Sequence, residues 1–314
     1  MTLGRSLESA RKERWGVILA GGDGFRLRPL TRMIVGDDRP KQFCPILGQE
    51  TLLDQTRRRA SLLIRAERML VVVTRTHERF YSPVLADVES TSLVVQPENR
   101  GTAPAILLAL LRVAALAPTG SVAVFPSDHY VSDYRAFMAY VEAAFDAVLA
   151  RPDLVSLLGI TPDGPEVEYG WIERGEWIRG QGPGALYRVT RFWEKPSPAV
   201  AQRLLALGSL WNSFVMVARV PALLSLIRRC VPSLYYAFAS IRPTLDTLGR
   251  EEALRRLYAG LPSTNFSREV LTRDPLNLAV LPVSGVRWAD LGDPHRVQLV
   301  ERQTSPEPNP LLVA

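Results

Sequence analysis

Short, continuously apolar runs alternate with longer helix-like stretches through the first half of the chain. Strands with both faces buried in a sheet have such runs, whereas half-exposed strands alternate apolar and polar residues. The helix-like stretches lie near residues 51–66, 77–89 and 102–117. The pattern predicts βαβ units and an α/β fold with a mainly parallel sheet. The predicted strands are Trp15–Ala20, Met69–Thr74, Ser92–Gln96 and Ser121–Phe125.

The second half continues this pattern less regularly. Residues 169–178 contain Gly175 among alternating apolar residues, which predicts a hairpin. No linker rich in Pro, Gly or Ser divides the 314 residues, so we expect one large domain. The further predicted strands are 154–160, 185–194, 213–219 and 278–283, and the further predicted helices are 133–150, 199–207 and 221–229.

Lysine is rare in this chain, because all but three of its 38 Lys and Arg residues are Arg. A broad, planar guanidinium cannot replace a compact ammonium group in a tight site. Lysines that persist against such a bias are therefore candidates for chemistry, although codon bias alone would also leave a few by chance. The three are Lys12, Lys41 and Lys195.

Charge and cysteine content exclude several classes of protein. The net charge of +6 is spread along the chain without a basic tail, which argues against nucleic-acid binding and suits a small anionic substrate. Two cysteines cannot form a disulfide framework or a cysteine-rich metal site. The N-terminus has no apolar run typical of a secretory signal, and the longest apolar stretch, 103–117, is shorter than the roughly 20 residues that span a bilayer. We expect a cytoplasmic protein without membrane binding.

A glycine-rich loop follows the first predicted strand, where residues 20–26 read AGGDGFR. Glycines let backbone N–H groups approach a phosphate closely, although a plain tight turn would explain them equally well. Leu27 stands where the dinucleotide fingerprint needs glycine, and the P-loop signature is absent. Arg26 can reach the same phosphates with its guanidinium. Lys41 follows fifteen residues later in the segment RPKQF.

The segments LAGGDGFRLRPLT and RPKQF resemble the sugar-1-phosphate nucleotidyltransferase family, and PKQF is most similar to its mannose-1-phosphate guanylyltransferases. The resemblance implies a Rossmann-like three-layer sandwich with a mainly parallel mixed sheet, in a single nucleotidyltransferase domain. It also implies Mg²⁺-dependent transfer of a nucleotidyl group from an NTP, expected to be GTP, to a sugar 1-phosphate, expected to be mannose 1-phosphate. Pyrophosphate is the second product.

The same resemblance sets the expected domain organisation. A nucleotidyltransferase domain over residues 15–300 follows a charged tail of residues 1–14 and precedes a C-terminal tail of residues 301–314. The nucleotide-binding half covers about residues 15–135 and the sugar-binding half about residues 136–300. The last 14 residues are too few for a second domain, so one activity is expected.

Residues 96–105, QPENRGTAPA, follow a strand and open a helix, whose N-terminus suits a ligand. They are similar to the family segment E-P-x-G-R-N-T-A-P-A near the base, although a helix cap is the simpler alternative. Gln96, Asn99 and Gly101 depart from that pattern, which leaves the base open. The implied nucleotide-binding residues are Ala20, Gly21, Gly22, Gly24, Arg26, Lys41, Gln96, Arg100 and Thr102, and Arg26 and Lys41 are also expected to be catalytic.

Two carboxylates are expected to hold Mg²⁺. Asp128 lies in the sequence PSDH, directly after a predicted strand, and carboxylates at that end of a parallel sheet commonly meet ligands. Asp290 lies in WADLG, which resembles the family motif W-x-D-x-G. The resemblance implies that both are metal ligands, whereas the neighbouring His129 is given no catalytic role.

Three further motifs are similar to sugar-site segments of the family: YGWIE at 169–173, FWEKP at 192–196 and WNSF at 211–214. The resemblance implies that Lys195 meets the sugar phosphate as a catalytic residue. Phe214 replaces the usual glycine, and the tryptophans of these motifs are each expected in the core. The implied sugar-phosphate-binding residues are Gly170, Glu173, Glu194, Lys195 and Asn212.

Several alternatives stay open. Another nucleotide, UTP or dTTP, and another hexose 1-phosphate would serve the same chemistry. A non-catalytic regulatory protein that binds sugar nucleotides is a second alternative, and an NAD-dependent oxidoreductase is disfavoured by Leu27. A homodimer is also left open, and residues 263–269 receive no role.

Overall fold

A nine-stranded mixed sheet forms the centre of the computed structural model, which describes residues 13–245 and 247–304. The strands are ordered β3-β2-β1-β4-β9-β6-β10-β8-β7, and β7 also pairs with β9. A second sheet pairs β5 with β11. The strands are β1 (Arg14–Leu19), β2 (Met69–Thr74), β3 (Leu93–Gln96), β4 (Ser121–Pro126), β5 (Tyr130–Val131), β6 (Val155–Ile160), β7 (Gly170–Arg179), β8 (Leu186–Glu194), β9 (Leu210–Arg219), β10 (Leu278–Val283) and β11 (Trp288–Ala289).

The helices lie between the strands, as predicted for an α/β protein. Side chains of Thr51 and Asp133 cap two of them by accepting hydrogen bonds from backbone N–H groups in the first turn. The helices are α1 (Arg28–Val35), α2 (Leu52–Ala60), α3 (Glu78–Val84), α4 (Thr102–Leu116), α5 (Tyr134–Ala150), α6 (Pro198–Ala206), α7 (Val220–Cys230), α8 (Pro232–Ile241), α9 (Arg250–Gly260) and α10 (Pro294–Thr304).

Strand directions make the sheet mixed. Strands β3, β2, β1 and β4 are parallel neighbours, and so are β6 and β10. By contrast, β9 is antiparallel to β4 and β6, and β8 is antiparallel to β10. The four-stranded parallel part, β3-β2-β1-β4, belongs to the first half of the chain, where the apolar runs were most regular.

Several of the predicted elements differ from the structure. The hairpin prediction for residues 169–178 was wrong, because these residues form the single strand β7, which pairs with β8 across a longer connection. Gly175 lies inside that strand beside Thr190, where a Cβ would approach the threonine methyl to 2.6 Å. Helices α2 and α3 end at Ala60 and Val84, earlier than predicted.

Apolar side chains of alternate strand residues form separate cores on the two faces of the sheet. Val17 of β1 and Val72 of β2 belong to one core, with the helices α4, α7, α8 and α9. Ile18 and Val71, their chain neighbours, belong to the other core, with α5 and α6. Both faces of these strands are therefore buried, which explains their continuously apolar sequence.

A smaller apolar cluster joins two distant parts of the chain. It packs Leu27 and Leu30 against Leu291 and Val297. This contact fastens the segment around Asp290 beneath the glycine loop, so residues about 260 positions apart in sequence become neighbours.

The two predicted tails lie partly outside the described residues. Residues 1–12, with Lys12, and 305–314 are not described, while Arg14 already opens β1 and α10 continues past residue 300 to Thr304. Among the helices of the described part, none combines the length and apolar character needed to cross a membrane.

Candidate active site

Most of the predicted site residues line one cleft of about 450 Å³ at the carboxyl ends of β1, β3 and β4. Parallel strands bring their carboxyl ends to the same edge of a sheet, where α/β proteins commonly bind ligands. The predicted residues that line the cleft are Gly21, Gly22, Arg26, Gln96, Thr102, Asp128, Gly170, Glu194, Lys195, Asn212 and Asp290.

A larger cavity of about 850 Å³ lies beside the edge strand β3. Apolar residues of β3 and α4 line it together with arginines such as Arg242 and Arg250. None of the predicted site residues borders this cavity. The smaller cleft is therefore the candidate active site, because it contains the predicted residues and the larger cavity does not.

Side chains behind the glycine loop fix its backbone. Gln42 Nε2 donates to the carbonyl oxygens of Ala20, at 3.0 Å, and Gly22, at 2.7 Å. Thr74 Oγ1 donates to the carbonyl oxygen of Gly21 at 2.9 Å. A Cβ on Gly21 would lie 2.8 Å from Thr74 Oγ1, so this packing requires glycine. Carbonyl oxygens that would repel a phosphate are thus engaged by the protein itself.

Asp23 connects the glycine loop to the loop after β3. Its Oδ2 accepts a hydrogen bond from Asn99 Nδ2 at 2.7 Å, and its Oδ1 lies 3.2 Å from His77 Nε2. Asn99 Oδ1 in turn accepts from the backbone N–H of Gly101 at 3.0 Å. Asn99, a departure from the family pattern, therefore joins the two loops that carry the predicted nucleotide-binding residues.

Lys41 lies behind the cleft wall rather than in the cleft lining. Its ammonium donates to the carbonyl oxygens of Asp290, at 2.8 Å, and Leu291, at 2.9 Å. The same Nζ lies 3.2 Å from Asp128 Oδ2, and the side chain is only 12% exposed. Three protein oxygens thus surround an ammonium that has three N–H donors. This geometry favours a positioning role over the predicted direct contact with phosphate.

The small sheet of β5 and β11 brings the two predicted metal ligands to the same cleft. Trp288 pairs with Val131 and Ala289 with Tyr130, so Asp128 and Asp290 flank the pairing. Arg296 donates to Asp290 Oδ1 at 2.7 Å and also to Glu166. Arg296 therefore holds the Asp290 carboxylate in place.

These carboxylates fit a Mg²⁺ ion that arrives with a triphosphate. Burial raises the pKa of the Asp128 carboxyl, but Lys41 and His129 outweigh this effect, so its pKa lies below the ordinary value and the group is charged. Among residues 13–245 and 247–304, no three metal-ligating side chains gather in one place. Phosphate oxygens and water would have to complete the coordination, which is the usual arrangement for Mg²⁺.

In the half of the cleft that is predicted to bind the sugar, three neighbouring strands contribute polar groups at one level of the sheet. Gly170 of β7 pairs with Glu194 of β8, and a Cβ on Gly170 would lie 3.2 Å from Glu194 Oε2 and 3.3 Å from Asn212 Cβ. Glycine therefore lets both polar side chains approach. Burial raises the pKa of Glu194, while Lys195 and Arg268 act in the opposite direction.

Arg26 and Lys195 meet at one carboxylate. Arg26 Nη1 lies 3.3 Å from Glu168 Oε2, and Lys195 Nζ lies 3.0 Å from the same oxygen. Two of the three predicted catalytic cations, Arg26 and Lys195, therefore come from opposite halves of the chain and converge. The hydrogen bond from Lys195 is the main reason why the pKa of Glu168 lies below its ordinary value.

The structure does not bring every predicted residue to the cleft lining. Glu173 accepts a hydrogen bond from the indole N–H of Trp193, on the face of β7 opposite to Gly170. Arg100 pairs with Glu98 at 2.8 Å. Ala20, Gly24, Lys41, Arg100 and Glu173 are the predicted residues that are not part of the lining.

Residues 263–269, which received no role, dock against the start of α4. Thr264 accepts a hydrogen bond from Ala103 N at 3.0 Å, and Phe266 N donates to Thr102 Oγ1 at 2.8 Å. A Cβ on Gly101 would lie 2.5 Å from the Thr264 carbonyl oxygen. Glycine at this position, where the family segment has another residue, therefore leaves room for residues 263–269. Ser263, Asn265 and Ser267 line the cleft.

Sequence reasoning also missed Gln42 and Glu168. Gln42 follows Lys41 in RPKQF, so its place in the motif was a usable signal. Glu168 directly precedes the YGWIE motif, but nothing local distinguished it from an exposed acidic residue.

Backbone strain concentrates at this site. Lys195, Phe214 and Leu291 are the non-glycine residues with positive φ in the described ranges, at 51°, 60° and 45°. Lys195 and Phe214 line the cleft, and the Leu291 carbonyl accepts from Lys41. Each such conformation costs about 1–3 kcal/mol and persists where the surroundings impose it, often at functional sites.

Residues 15–297 match the Nucleotidyl transferase family. The chain belongs to this family. It is 36% identical over 283 residues to the xanthan biosynthesis protein XanB of Xanthomonas campestris pv. campestris (strain B100), a match that covers 88% of this chain and 57% of XanB. It is 29% identical over 292 residues to the mannose-1-phosphate guanylyltransferase of Escherichia coli (strain K12), covering 90% of this chain and 59% of that protein.

A solved structure supports the same fold. The crystal structure described as "mannose-1-phosphate geranyltransferase" from Thermus thermophilus superposes with a TM-score of 0.79 and 32% sequence identity. The match covers 94% of this chain and 80% of that one. The chain spans less than two thirds of the length of the two curated relatives, at 57% and 59%.

Proposed function

We propose that this chain transfers the guanylyl group of GTP to mannose 1-phosphate, which yields GDP-mannose and pyrophosphate. The observation that carries the proposal is the single cleft in which the glycine loop, two carboxylates and cations from both halves of the chain meet. Family membership supports the type of reaction. The name of the Escherichia coli relative supports the choice of substrates.

We also propose a Rossmann-like three-layer arrangement, in which helices cover both faces of the sheet. The separate cores on the two sheet faces support this arrangement. With both faces covered by helices, the loops at the carboxyl ends of the strands remain accessible to a nucleotide.

In the proposed reaction, a phosphate oxygen of the sugar 1-phosphate attacks the α-phosphorus of the NTP. The bond between that phosphorus and the oxygen that bridges to the β-phosphate breaks, and pyrophosphate leaves with the electron pair. The attacking oxygen is already anionic, so no general base has to remove a proton. Catalysis then consists of orientation and charge neutralisation.

Arg26 is suited to the triphosphate and the leaving pyrophosphate, because a guanidinium can donate to two phosphate oxygens. Lys195 is suited to the attacking phosphate. Both donate to Glu168 Oε2, so both lie within reach of one anionic oxygen. Gly170, Glu194 and Asn212 are suited to the sugar hydroxyl groups.

Asp128 and Asp290 would hold Mg²⁺, which when bound supplies positive charge to the triphosphate. Lys41 contacts Asp128 and the Asp290 backbone, and Arg296 contacts the Asp290 side chain. These two cations are positioning residues that hold the carboxylates in place.

The test is a pyrophosphate-release assay with Mg²⁺, in which GTP, UTP and dTTP are each combined with mannose 1-phosphate and glucose 1-phosphate. We expect GTP with mannose 1-phosphate to give the highest kcat/KM. Asp128→Ala should abolish Mg²⁺-dependent release while circular dichroism stays that of the folded protein. Full activity in Asp128→Ala would refute the metal assignment.

The same assay separates the alternatives. Preference for UTP or dTTP would keep the chemistry and reject the proposed base. The departures at Gln96 and Gly101 motivate that comparison. Binding of GDP-mannose without pyrophosphate release from any pair would instead indicate a regulatory protein.

A further inference from the structure

One carboxylate oxygen in the cleft bridges the two cations that the proposed reaction needs. Glu168 Oε2 accepts from Lys195 Nζ at 3.0 Å and from Arg26 Nη1 at 3.3 Å. Within residues 13–245 and 247–304, no other acceptor is found for either cationic group. Glu168 also lines the cleft, so its carboxylate lies in the space that a substrate would enter.

The charges explain why this contact matters. Two cations and one carboxylate leave a local charge of +1, whereas a phosphate of charge −2 would neutralise both cations. If Glu168 stayed in place beside that phosphate, two anionic groups would share the same donors and repel each other. The Glu168 side chain is 42% exposed, so it can turn into solvent at small cost.

The connection that carries Glu168 allows such a change. Glu168 lies in the stretch between β6, which ends at Ile160, and β7, which begins at Gly170, outside any helix or strand. Its neighbour Glu166 is held by Arg296, and Tyr169 packs on Trp211 and Trp288. The backbone is thus fixed on both sides of Glu168, while its side chain reaches the cleft from a constant position.

We propose that Glu168 is a resident stand-in for substrate phosphate: it holds Arg26 and Lys195 at the spacing of one bridging oxygen and is exchanged for a phosphate oxygen of the substrate. Glu168 therefore competes with anions for the site. An anion binds only if it displaces the Glu168 carboxylate from both cations. A dianionic phosphate that contacts both cations does so, whereas a weak, singly charged anion does not. This inference rests on the proposed function for the identity of the phosphate, but not for the competition itself.

The closing experiment measures binding without turnover. Inorganic pyrophosphate is titrated calorimetrically into the full chain in the absence of Mg²⁺, for the wild type and for Glu168→Gln. We expect the variant to bind pyrophosphate about fivefold more tightly, because each exposed ion pair that the anion must replace contributes a factor of roughly 1.4 to 5. Equal or weaker binding by Glu168→Gln would overturn the proposal.

Two further variants control for general charge effects. Glu251→Gln removes the same charge from an exposed Arg–Glu pair outside the cleft, Arg75 to Glu251 at 3.0 Å, and should leave the affinity unchanged. In a Lys195→Gln background, Glu168→Gln should gain clearly less than in the wild type, because one of the two exchanged contacts is already absent. A gain of the same size in that background, or in Glu251→Gln, would assign the effect to net charge and reject the proposal.

Kinetics distinguish this inference from the proposed function. In the transferase assay, Glu168→Gln should lower KM for the sugar phosphate about fivefold and keep kcat within about twofold, whereas loss of a positioning contact would raise KM or lower kcat. Tight pyrophosphate binding by the variant in a chain without transferase activity would reject the function and keep the exchange. Normal transferase activity with unchanged pyrophosphate affinity in Glu168→Gln would keep the proposed function and reject the exchange.

Discussion

Replacing Lys41 with methionine should destabilise the fold, although lysine is usually an exposed and replaceable residue. The Lys41 ammonium holds three oxygens: Asp128 Oδ2 at 3.2 Å and the carbonyl oxygens of Asp290 and Leu291 at 2.8 and 2.9 Å. These groups belong to segments about 160 residues apart. Methionine keeps the apolar stem of the side chain and removes only the charge and the donors.

The size of the effect follows from burial. The Lys41 side chain is 12% exposed and Asp128 is 27% exposed, so water replaces the lost contacts only in part. Hydrogen bonds from charged donors contribute about 1.5–3 kcal/mol each, and removing one partner of a buried ion pair costs about 3–5 kcal/mol. Discounted for the partial access of water, we expect Lys41→Met to lower the free energy of unfolding by about 3 kcal/mol, or the Tm by roughly 6 °C.

The measurement is urea denaturation followed by circular dichroism, without metal. Lys195→Met is the matched control, because Lys195 is 45% exposed and its ion pair with Glu168 should contribute less than about 1 kcal/mol. Adding Asp128→Asn to Lys41→Met should recover part of the loss in a double-mutant cycle. The reasoning is refuted if Lys41→Met costs no more than Lys195→Met, or if Asp128→Asn gives no coupling.

Variants at three other positions test the backbone and the buried histidine. Gly101 has φ of 86°, and a Cβ there would lie 2.5 Å from the Thr264 carbonyl oxygen, so Gly101→Ala should cost about 3 kcal/mol in denaturant unfolding; a loss below about 1 kcal/mol would contradict this. At Phe214, where φ is 60°, a glycine variant should be about 1 kcal/mol more stable than an alanine variant, and the opposite order would show that no strain is present. Burial lowers the pKa of His77 despite the opposing Asp23 carboxylate, so the unfolded chain takes up the proton first. The free energy of unfolding should therefore fall as the pH drops below about 6.5, and His77→Asn should flatten that slope in urea titrations at several pH values.

Local patterns predicted the positions of the strands far better than they predicted which strands pair. The strands β2 and β10 lie where the apolar runs indicated, because burial of both faces leaves a direct mark on the sequence. The β7 error has the opposite cause. Whether residues 169–178 fold back on themselves or run on as one strand that pairs with residues 186–194 depends on partners outside the segment, which alternation and one glycine do not report.

The motifs likewise located the site but did not show which residues line the cleft and which hold other residues in place. Glu173 lies in a motif with Gly170, yet the two-residue period of a strand turns it to the opposite face, where it bonds Trp193. Lys41 was noticed as a rare lysine, but its partners are carbonyl oxygens and Asp128 rather than the open cleft. Glu168 carried no signal, because its importance comes from two cations that other parts of the chain supply.

The sequence by itself determined the α/β class, the glycine loop after β1 and the small set of cations and carboxylates that phosphate chemistry requires, because these features depend on residue type and short-range spacing. Only the tertiary structure decided which of these residues meet. Strand order, the β5–β11 pair and the cluster around Leu291 bring Asp290 to Asp128 and Lys41, and the meeting of both halves brings Arg26 and Lys195 to one oxygen of Glu168. Most of these contacts join residues more than eighty positions apart, and no local pattern in the sequence records them.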